Sequence, residues 1–460
     1  MFELKNKAFY KKTLKLMAPI VLQQLITSGI NFLDNLMIGG LGEASIAAVS
    51  FGNTFYSLFN FICMGLGSGA VVLSSQFWGR KELDPMRGVA SIALRLSALL
   101  GALFSFMAIV FPQFVMRFYT DEAAVVAAGG PYLRTVGIIF FLVGISSTCT
   151  YLLRSVGMVR IPMISSVIAF FLNLFFNWVF IFGKLGAPAL GVVGAAIGTV
   201  IARVFEFCFI AGYFATKDDR IGFRLKNFFM KGGGLWKQYF KYAIPVLVSD
   251  TLLGLSLSLT NTVLGHVGET TAAATAIVSS MIAITTVLNS AVAVASAVVI
   301  GNTVGSGDIP RAKREGNTYM LLSFLFGLVV AVPLLLIEGP YFSLYDITEE
   351  TRAIAHGILV LNCCMLPFQC NAYASSKGIL RGGGDTKFIM FADSACIWLI
   401  SLPLGALAAF VWQMHPVWIY FFLRIQYPMK GVLFFIRYCT GKWIKEIKVK
   451  EVPAKNQKQA

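Results

Sequence analysis

The sequence predicts an all-α integral membrane protein of twelve transmembrane helices in two parallel six-helix repeats, and three observations carry that prediction. Apolar residues make up 57% of the 460-residue chain, and mean hydropathy is +0.75. Charge-free runs extend over 36 residues, Ala44 to Gly79, and 38 residues, Thr270 to Gly307, where one crossing of the hydrocarbon core needs about 20. The stretch PIVLQQLITSGINFLDNLMIGGLGE, from Pro19, also returns without a gap 226 residues later as PVLVSDTLLGLSLSLTNTVLGHVGE, from Pro245. Six of its 25 positions are identical: Pro19/Pro245, Leu33/Leu259, Asn35/Asn261, Gly39/Gly265, Gly42/Gly268 and Glu43/Glu269.

The hydropathy pattern places the spans near 15–39, 46–76, 89–111, 131–152, 163–183, 192–215, 241–264, 272–300, 318–337, 354–378, 388–411 and 417–436. Strand alternation of the porin kind is absent, so these are helices, which satisfy their own backbone hydrogen bonds in lipid. Six spans per half is an even number, so the halves are parallel repeats about an axis along the membrane normal, an arrangement typical of secondary transporters. The expected organisation is an N-terminal lobe, 1–216, a cytoplasmic linker, 217–241, a C-terminal lobe, 242–440, and a basic cytoplasmic tail, 441–460. Gly232 to Gly234 break the linker, and Trp236, Tyr239 and Tyr242 suit an interfacial anchor before the seventh span.

In a soluble protein a net charge of +16 would suggest nucleic acid; here its distribution gives another answer. With a cytoplasmic N-terminus, the inner segments collect most of the 38 Lys and Arg, while the outer loops hold three, Arg117, Lys184 and Arg352. This positive-inside bias puts both termini in the cytoplasm, so the expected site is a bacterial inner membrane, with no nucleic-acid partner. The basic start MFELKNKAFYKKTLK leads into a span too long for a signal peptide and reads as a mature start. The eight cysteines fit neither zinc spacing nor a disulfide framework and read as packing residues; no cofactor is expected.

Further echoes mark the duplication. LRSVGMVRIPM, from Leu153, is matched by LRGGGDTKFIM, from Leu380, now at an offset of 227, and QFWGRKELDPMRG, from Gln76, by NTVGSGDIPRAKR, from Asn302. The first pair reads as short cytoplasmic turns whose Arg154 and Arg381 hold lipid headgroups or cap helix ends. Small-residue runs such as GVVGAAIGTVIA, from Gly191, let helices approach closely.

Taken together, the paired Pro…Gly-x-x-Gly first helices, the two LR-x-x-G turns, the N-x-x-x-N helix and the GAAIGT helix resemble the multidrug and toxic compound extrusion (MATE) family over essentially the whole chain. That resemblance implies a V-shaped pair of six-helix lobes alternating between outward and inward states. It also implies export of amphipathic, mostly cationic organic compounds in exchange for protons or sodium ions. A monomer is expected, with small organic cations and the lipid bilayer as its partners.

Within this frame Asp34 is the leading candidate. It is the only charge between Lys15 and Glu43, and an acid at a helix centre costs about 2.5–3.5 kcal/mol on insertion scales, so such residues are rarely idle. Its position matches the family's first-helix coupling acid. Asn173 and Asn177, four residues apart in FFLNLFFNW, share a helix face, and Thr199 adds a hydroxyl. One carboxylate, two amide carbonyls and a hydroxyl form an oxygen set suited to a hard monovalent cation or a protonated acid. These four residues match the family's first-lobe cation site and are the candidate ligands for sodium. Asn177 stands where some members carry Asp, leaving one charge fewer. Tyr132 matches a family tyrosine near that network and equally suits an interfacial anchor. Pro19 is a candidate hinge, although Pro245 repeats it and a shared structural kink accounts for both.

In the second half Asp250 is the only charge between Lys241 and Glu269, and Asn371 is a further candidate contact. Glu206 follows Arg203 by three residues, so a local ion pair is expected. Phe55, Phe59, Phe61, Phe140, Phe141 and Trp398 are candidate cavity aromatics. Arg95, Arg134, Arg203 and Arg424 fall near predicted span ends, which disfavours the alternative of a flippase for lipid-linked saccharides. A membrane-embedded enzyme would need clustered catalytic groups, whereas His266, His356 and His415 are scattered. A channel would need a ring of selectivity carbonyls that a two-fold repeat does not supply.

Overall fold

The computed structural model describes Glu3 and residues 6–38, 43–230 and 232–447. The repeat positions Gly39 and Gly42 and most of the expected tail lie outside the described residues, as does the side chain of Glu43.

All regular structure among the described residues is helical. Twelve long helices follow one another: α1 (Lys7–Ile38), α2 (Glu43–Arg80), α3 (Leu83–Val110), α4 (Ala123–Ser155), α5 (Arg160–Phe182), α6 (Gly191–Thr216), α7 (Leu235–Val267), α8 (Glu269–Gly305), α9 (Ile309–Leu336), α10 (Glu349–Leu380), α11 (Thr386–Val411) and α12 (Pro416–Cys439). Eleven of these, α2 to α12, are long and apolar enough among the described residues to cross a membrane. α1 is the remaining long helix, 32 residues with Pro19 inside it. Each of the twelve hydropathy segments lies within one of them, give or take a residue at the ends.

Local chemistry sets several boundaries. Gly183 ends α5 in the left-handed region, at φ +65°, where a side chain would be strained. Asp308 accepts a hydrogen bond from the Arg311 amide at 3.1 Å to start α9, and Thr348 accepts one from the Thr351 amide at 3.2 Å to start α10. α10 and α11 contain π-helical stretches, Ala374–Leu380 and Ala395–Ser401. Such bulges recur where side chains are aimed at a site, and here they carry or border Lys377, Arg381 and Asp393.

Chain contacts divide the protein into two compact units, with breaks between Met17 and Ala18 and between Ala243 and Ile244. Each break falls within a first-repeat helix, directly ahead of Pro19 in α1 and Pro245 in α7. The unit holding Ala18–Ala243 has an aromatic core in which Phe55, Phe59, Phe104 and Phe140 pack ring to ring at centroid distances of 5.1–6.0 Å. Phe55 and Phe59 are therefore core residues. The linker folds back on α3: Arg95 donates to the carbonyls of Phe228 and Met230, both at 2.6 Å. Tyr239 is buried and donates to the Leu66 carbonyl at 2.8 Å. Tyr242 is buried as well, so these two tyrosines are packing residues and not interfacial anchors.

The other unit contains the start of α1 together with the second half. Glu3 pairs with Arg314 at 2.7 Å, the Thr13 and Tyr319 hydroxyls are 2.8 Å apart, and Phe9 meets Tyr319 edge-on. Beyond α12, Trp443 is fully buried against Gly383, and Asp385 is held by Arg437 and Lys445.

Glycine fixes the spacing that matters most for the site. A Cβ on Gly194 of α6 would lie 2.3 Å from the Phe180 carbonyl oxygen of α5, and one on Gly198 would lie 2.1 Å from Asn177 Oδ1. Gly194→Ala should therefore push α6 off α5 and destabilise the protein by about 1–3 kcal/mol, read as a lower melting temperature in detergent. A parental melting temperature would show that this approach is not needed.

Candidate functional site

The close pairing of α5 and α6 brings four sequence candidates together. Asn177 Nδ2 donates to Asp34 Oδ1 at 2.6 Å and to Asn173 Oδ1 at 3.3 Å. Asn173 Nδ2 in turn donates to Thr199 Oγ1 at 3.3 Å, and that hydroxyl donates to the Ala195 carbonyl at 2.9 Å. Both amides are buried, while Asp34 and Thr199 are half-buried. Asn177 Oδ1 is buried without a hydrogen-bond partner. An orphaned acceptor of this kind costs about 1–3 kcal/mol, so the arrangement is poised to receive a donor or a cation.

Asp34 and Thr199 also face a small cavity of about 50 Å³, shared with Tyr132, Tyr56, Asn53 and Arg203. Tyr132 is buried, and its ring would lie 2.6 Å from a Cβ on Gly52, so α2 carries glycine where the ring enters. The buried ring takes Tyr132 away from an interfacial role. Among the described residues no cluster of three His, Cys, Asp or Glu is placed to hold a metal. A cation here would rest on one carboxylate and neutral oxygens.

Arg203 lies near the middle of α6, not near a span end, and pairs with Glu206 at 2.6 Å. Together they line a second, larger cavity of about 490 Å³, with Gln23, Tyr56, Tyr151 and Arg154 among its walls. Arg154 occupies the last turn of α4 and is buried. It therefore does not hold headgroups; its Nη2 donates to Gln23 Oε1 at 2.6 Å.

The second-half candidates find different surroundings. Asp250 is buried and accepts from Arg381 Nη2 at 2.9 Å and Nη1 at 3.2 Å, with Lys377 as a further ion-pair partner. Arg381 is buried as well, so it too is no headgroup anchor. Beside them Asp393 pairs with Lys430 at 3.1 Å and accepts from Ser249 and Ser376. The sequence reading missed Lys377, Asp393 and Lys430, although each is a charge inside a predicted span, which is the signal that would have found them. Asn371 donates to the Met320 carbonyl at 3.0 Å and accepts from Ser375 at 3.3 Å, tying α10 to α9.

A family model described as MatE matches residues 19–179 and again 245–407, one match in each half of the duplication. A probable multidrug resistance protein NorM of Neisseria meningitidis serogroup B is 25% identical over 399 residues, which cover 86% of each chain. The probable multidrug resistance protein YoeA of Bacillus subtilis is 22% identical over 85% of this chain and 84% of its own. Among solved structures, a MATE protein in a bent conformation superposes with a TM-score of 0.85 at 18% identity, covering 94% of this chain and 95% of that one. A MOP-superfamily transporter from Pyrococcus furiosus, described as having a binding pocket of reversed polarity, gives 0.83 at 19% identity over 94% and 95%. At these identities the structural likeness speaks for the fold. Because the family model fits both repeats and covers most of the chain, the chain belongs to the MatE family of membrane transporters.

Proposed function

We propose that this multidrug-efflux family member is a secondary antiporter that exports amphipathic organic compounds in exchange for protons or sodium ions, with coupling seated at Asp34. The observation that carries the reading is the orphaned Asn177 Oδ1 beside a carboxylate that already accepts from the same amide. An ionised carboxylate can only accept, whereas a protonated one has an O–H to give. Protonation of Asp34, with rotation of the Asn177 amide, would supply the missing donor and reverse the hydrogen bond between α1 and α5. Sodium would satisfy the same oxygen through Asp34, Asn173, Asn177 and Thr199. The site offers one carboxylate and otherwise neutral amide and hydroxyl oxygens, which favours protons over a dehydrated sodium ion.

A coupling ion moves a two-state transporter only by binding its states unequally, and the α1–α5 hydrogen bond is a contact that such binding alters. Pro19 is proposed as the hinge because the contact division falls just before it. The larger cavity has the volume of a small-molecule site, which favours drug-sized cargo over lipid-linked saccharides. The charge asymmetry of the loops supports an inner-membrane location with both termini cytoplasmic. Asp250, neutralised by two cations, is proposed to hold the second lobe together.

In proteoliposomes, Asp34→Asn should abolish gradient-driven export of a fluorescent substrate while the purified variant melts like the parent. Unchanged export would remove Asp34 from coupling. An imposed pH gradient should drive wild-type transport; dependence on a sodium gradient with no response to pH would overturn proton coupling. Asp250→Ala should cost about 3–5 kcal/mol, because it strands Lys377 and Arg381 in the interior. A parental melting temperature together with lost coupling would transfer Asp250 to the coupling site.

A further inference from the structure

The duplication places an arginine at the same point in both halves, Arg154 in LRSVG and Arg381 in LRGGG, 227 residues apart. In the second half that arginine faces Asp250 and is neutralised. In the first half the position equivalent to Asp250 is Gln24, and Arg154 instead donates to the neutral Gln23. Arg154 is 9% exposed, its Nε has no hydrogen-bond partner, and no ion pair joins it to a described carboxylate. The Tyr151 ring lies beside it, 5.8 Å from the guanidinium carbon. A buried cation without a counter-charge is costly, and this one lines the 490 Å³ cavity. The one acid on that wall, Glu206, is already taken by Arg203.

We propose that this cavity binds organic compounds through a carboxylate that docks on Arg154, the ligand supplying the counter-charge which Asp250 supplies in the other half. The guanidinium fork matches a carboxylate in shape as well as charge. Tyr56, Tyr151, Asn53 and Asn60 line the same space and give the rest of the molecule aromatic faces and amide groups. The inference rests on the antiporter reading and narrows its cargo from amphipathic organic compounds in general to those that carry an acidic group, with or without a basic one. The two sites are also wired together. Arg154 donates to Gln23 at 2.6 Å, Gln23 Nε2 donates to Ser166 at 3.1 Å, Ser166 donates to Glu206 at 3.4 Å, and Glu206 accepts from Arg203 at 2.6 Å. Arg203 also lines the Asp34 cavity, so a carboxylate arriving at Arg154 perturbs a chain of bonds that ends beside the coupling acid.

The test is equilibrium binding to purified full-length protein, with no ion gradient, of two fluorescent probes: a rhodamine bearing a free carboxylate and the methyl ester of the same dye. Wild type should bind the acid about tenfold more tightly than the ester, a difference of about 1.4 kcal/mol. Arg154→Gln should bring that ratio to near one, and Arg154→Lys should keep part of it. Gln23→Glu, which sets an internal carboxylate against Arg154 as Asp250 sets one against Arg381, should also erase the ratio and needs no buried cation removed. Equal binding of the two dyes by wild type, no measurable binding of the acid, or a preference that survives both Arg154→Gln and Gln23→Glu would each overturn the proposal. A purely structural Arg154 would leave no acid preference to lose. Gradient-driven flux of the same dyes reports on antiport separately, so a binding preference without flux would count against the antiporter reading and not against this one.

Discussion

A charge inside a membrane-spanning bundle must find a partner within the protein, because neither lipid nor bulk water is there to supply one. The structure meets this constraint in three ways. Asp250 is matched by two cations and Asp393 by Lys430. Arg203 is matched by a neighbour one helical turn away, Glu206. Among the described residues, Asp34 and Arg154 find amides, Asn177 and Gln23, as hydrogen-bond partners, and both border cavities. The sites where matching is incomplete are the sites proposed to exchange a proton, an ion or a ligand.

The repeat explains how one scaffold accommodates both solutions. Equivalent positions in the two halves build similar frames, with a proline inside the first helix, an arginine at the end of the fourth, and a polar residue on the fifth that bonds back to the first. That last pairing is Ser166 with Gln23 in one half and Asp393 with Ser249 in the other. Arg203 and Lys430 are again 227 residues apart. The second half fills this frame with paired charges, whereas the first pairs Arg203 with Glu206 and sets only the amide of Gln23 against Arg154. One lobe is thereby locked electrostatically, and the other keeps a polar, incompletely matched wall around a cavity of about 490 Å³. The same backbone plan yields paired charges on one side and the proposed working site on the other.

How much of this was legible depends on the distance over which each interaction acts. Span positions, the duplication and the α5 pair Asn173/Asn177 follow from periodicity along one helix, and the structure has all twelve helices where hydropathy puts them. Asp34 stands out because an isolated acid in an apolar stretch is conspicuous in one dimension. Arg154 and Arg381 were misread as turn residues because their glycine-rich surroundings are those of a turn, while their partners lie 131 residues away in each half. Lys377, Asp393 and Lys430 were overlooked because each sits close enough to a predicted span end to pass for a flanking charge. Tyr239 and Tyr242 have the composition of an interfacial belt and yet are buried, since aromatic rings suit both settings.

The sequence by itself determined the helical membrane class, the two-fold repeat and the presence of a lone acid in the first span, all of which are set by local hydrophobicity and by self-similarity. Only the tertiary structure decided which polar residues meet. It joined Asp34 to Asn177, gave Asp250 its two cations, and left Arg154 with no counter-charge among the described residues, on the wall of a cavity. Charge compensation acts between helices brought side by side by packing, over distances in sequence that no local pattern records.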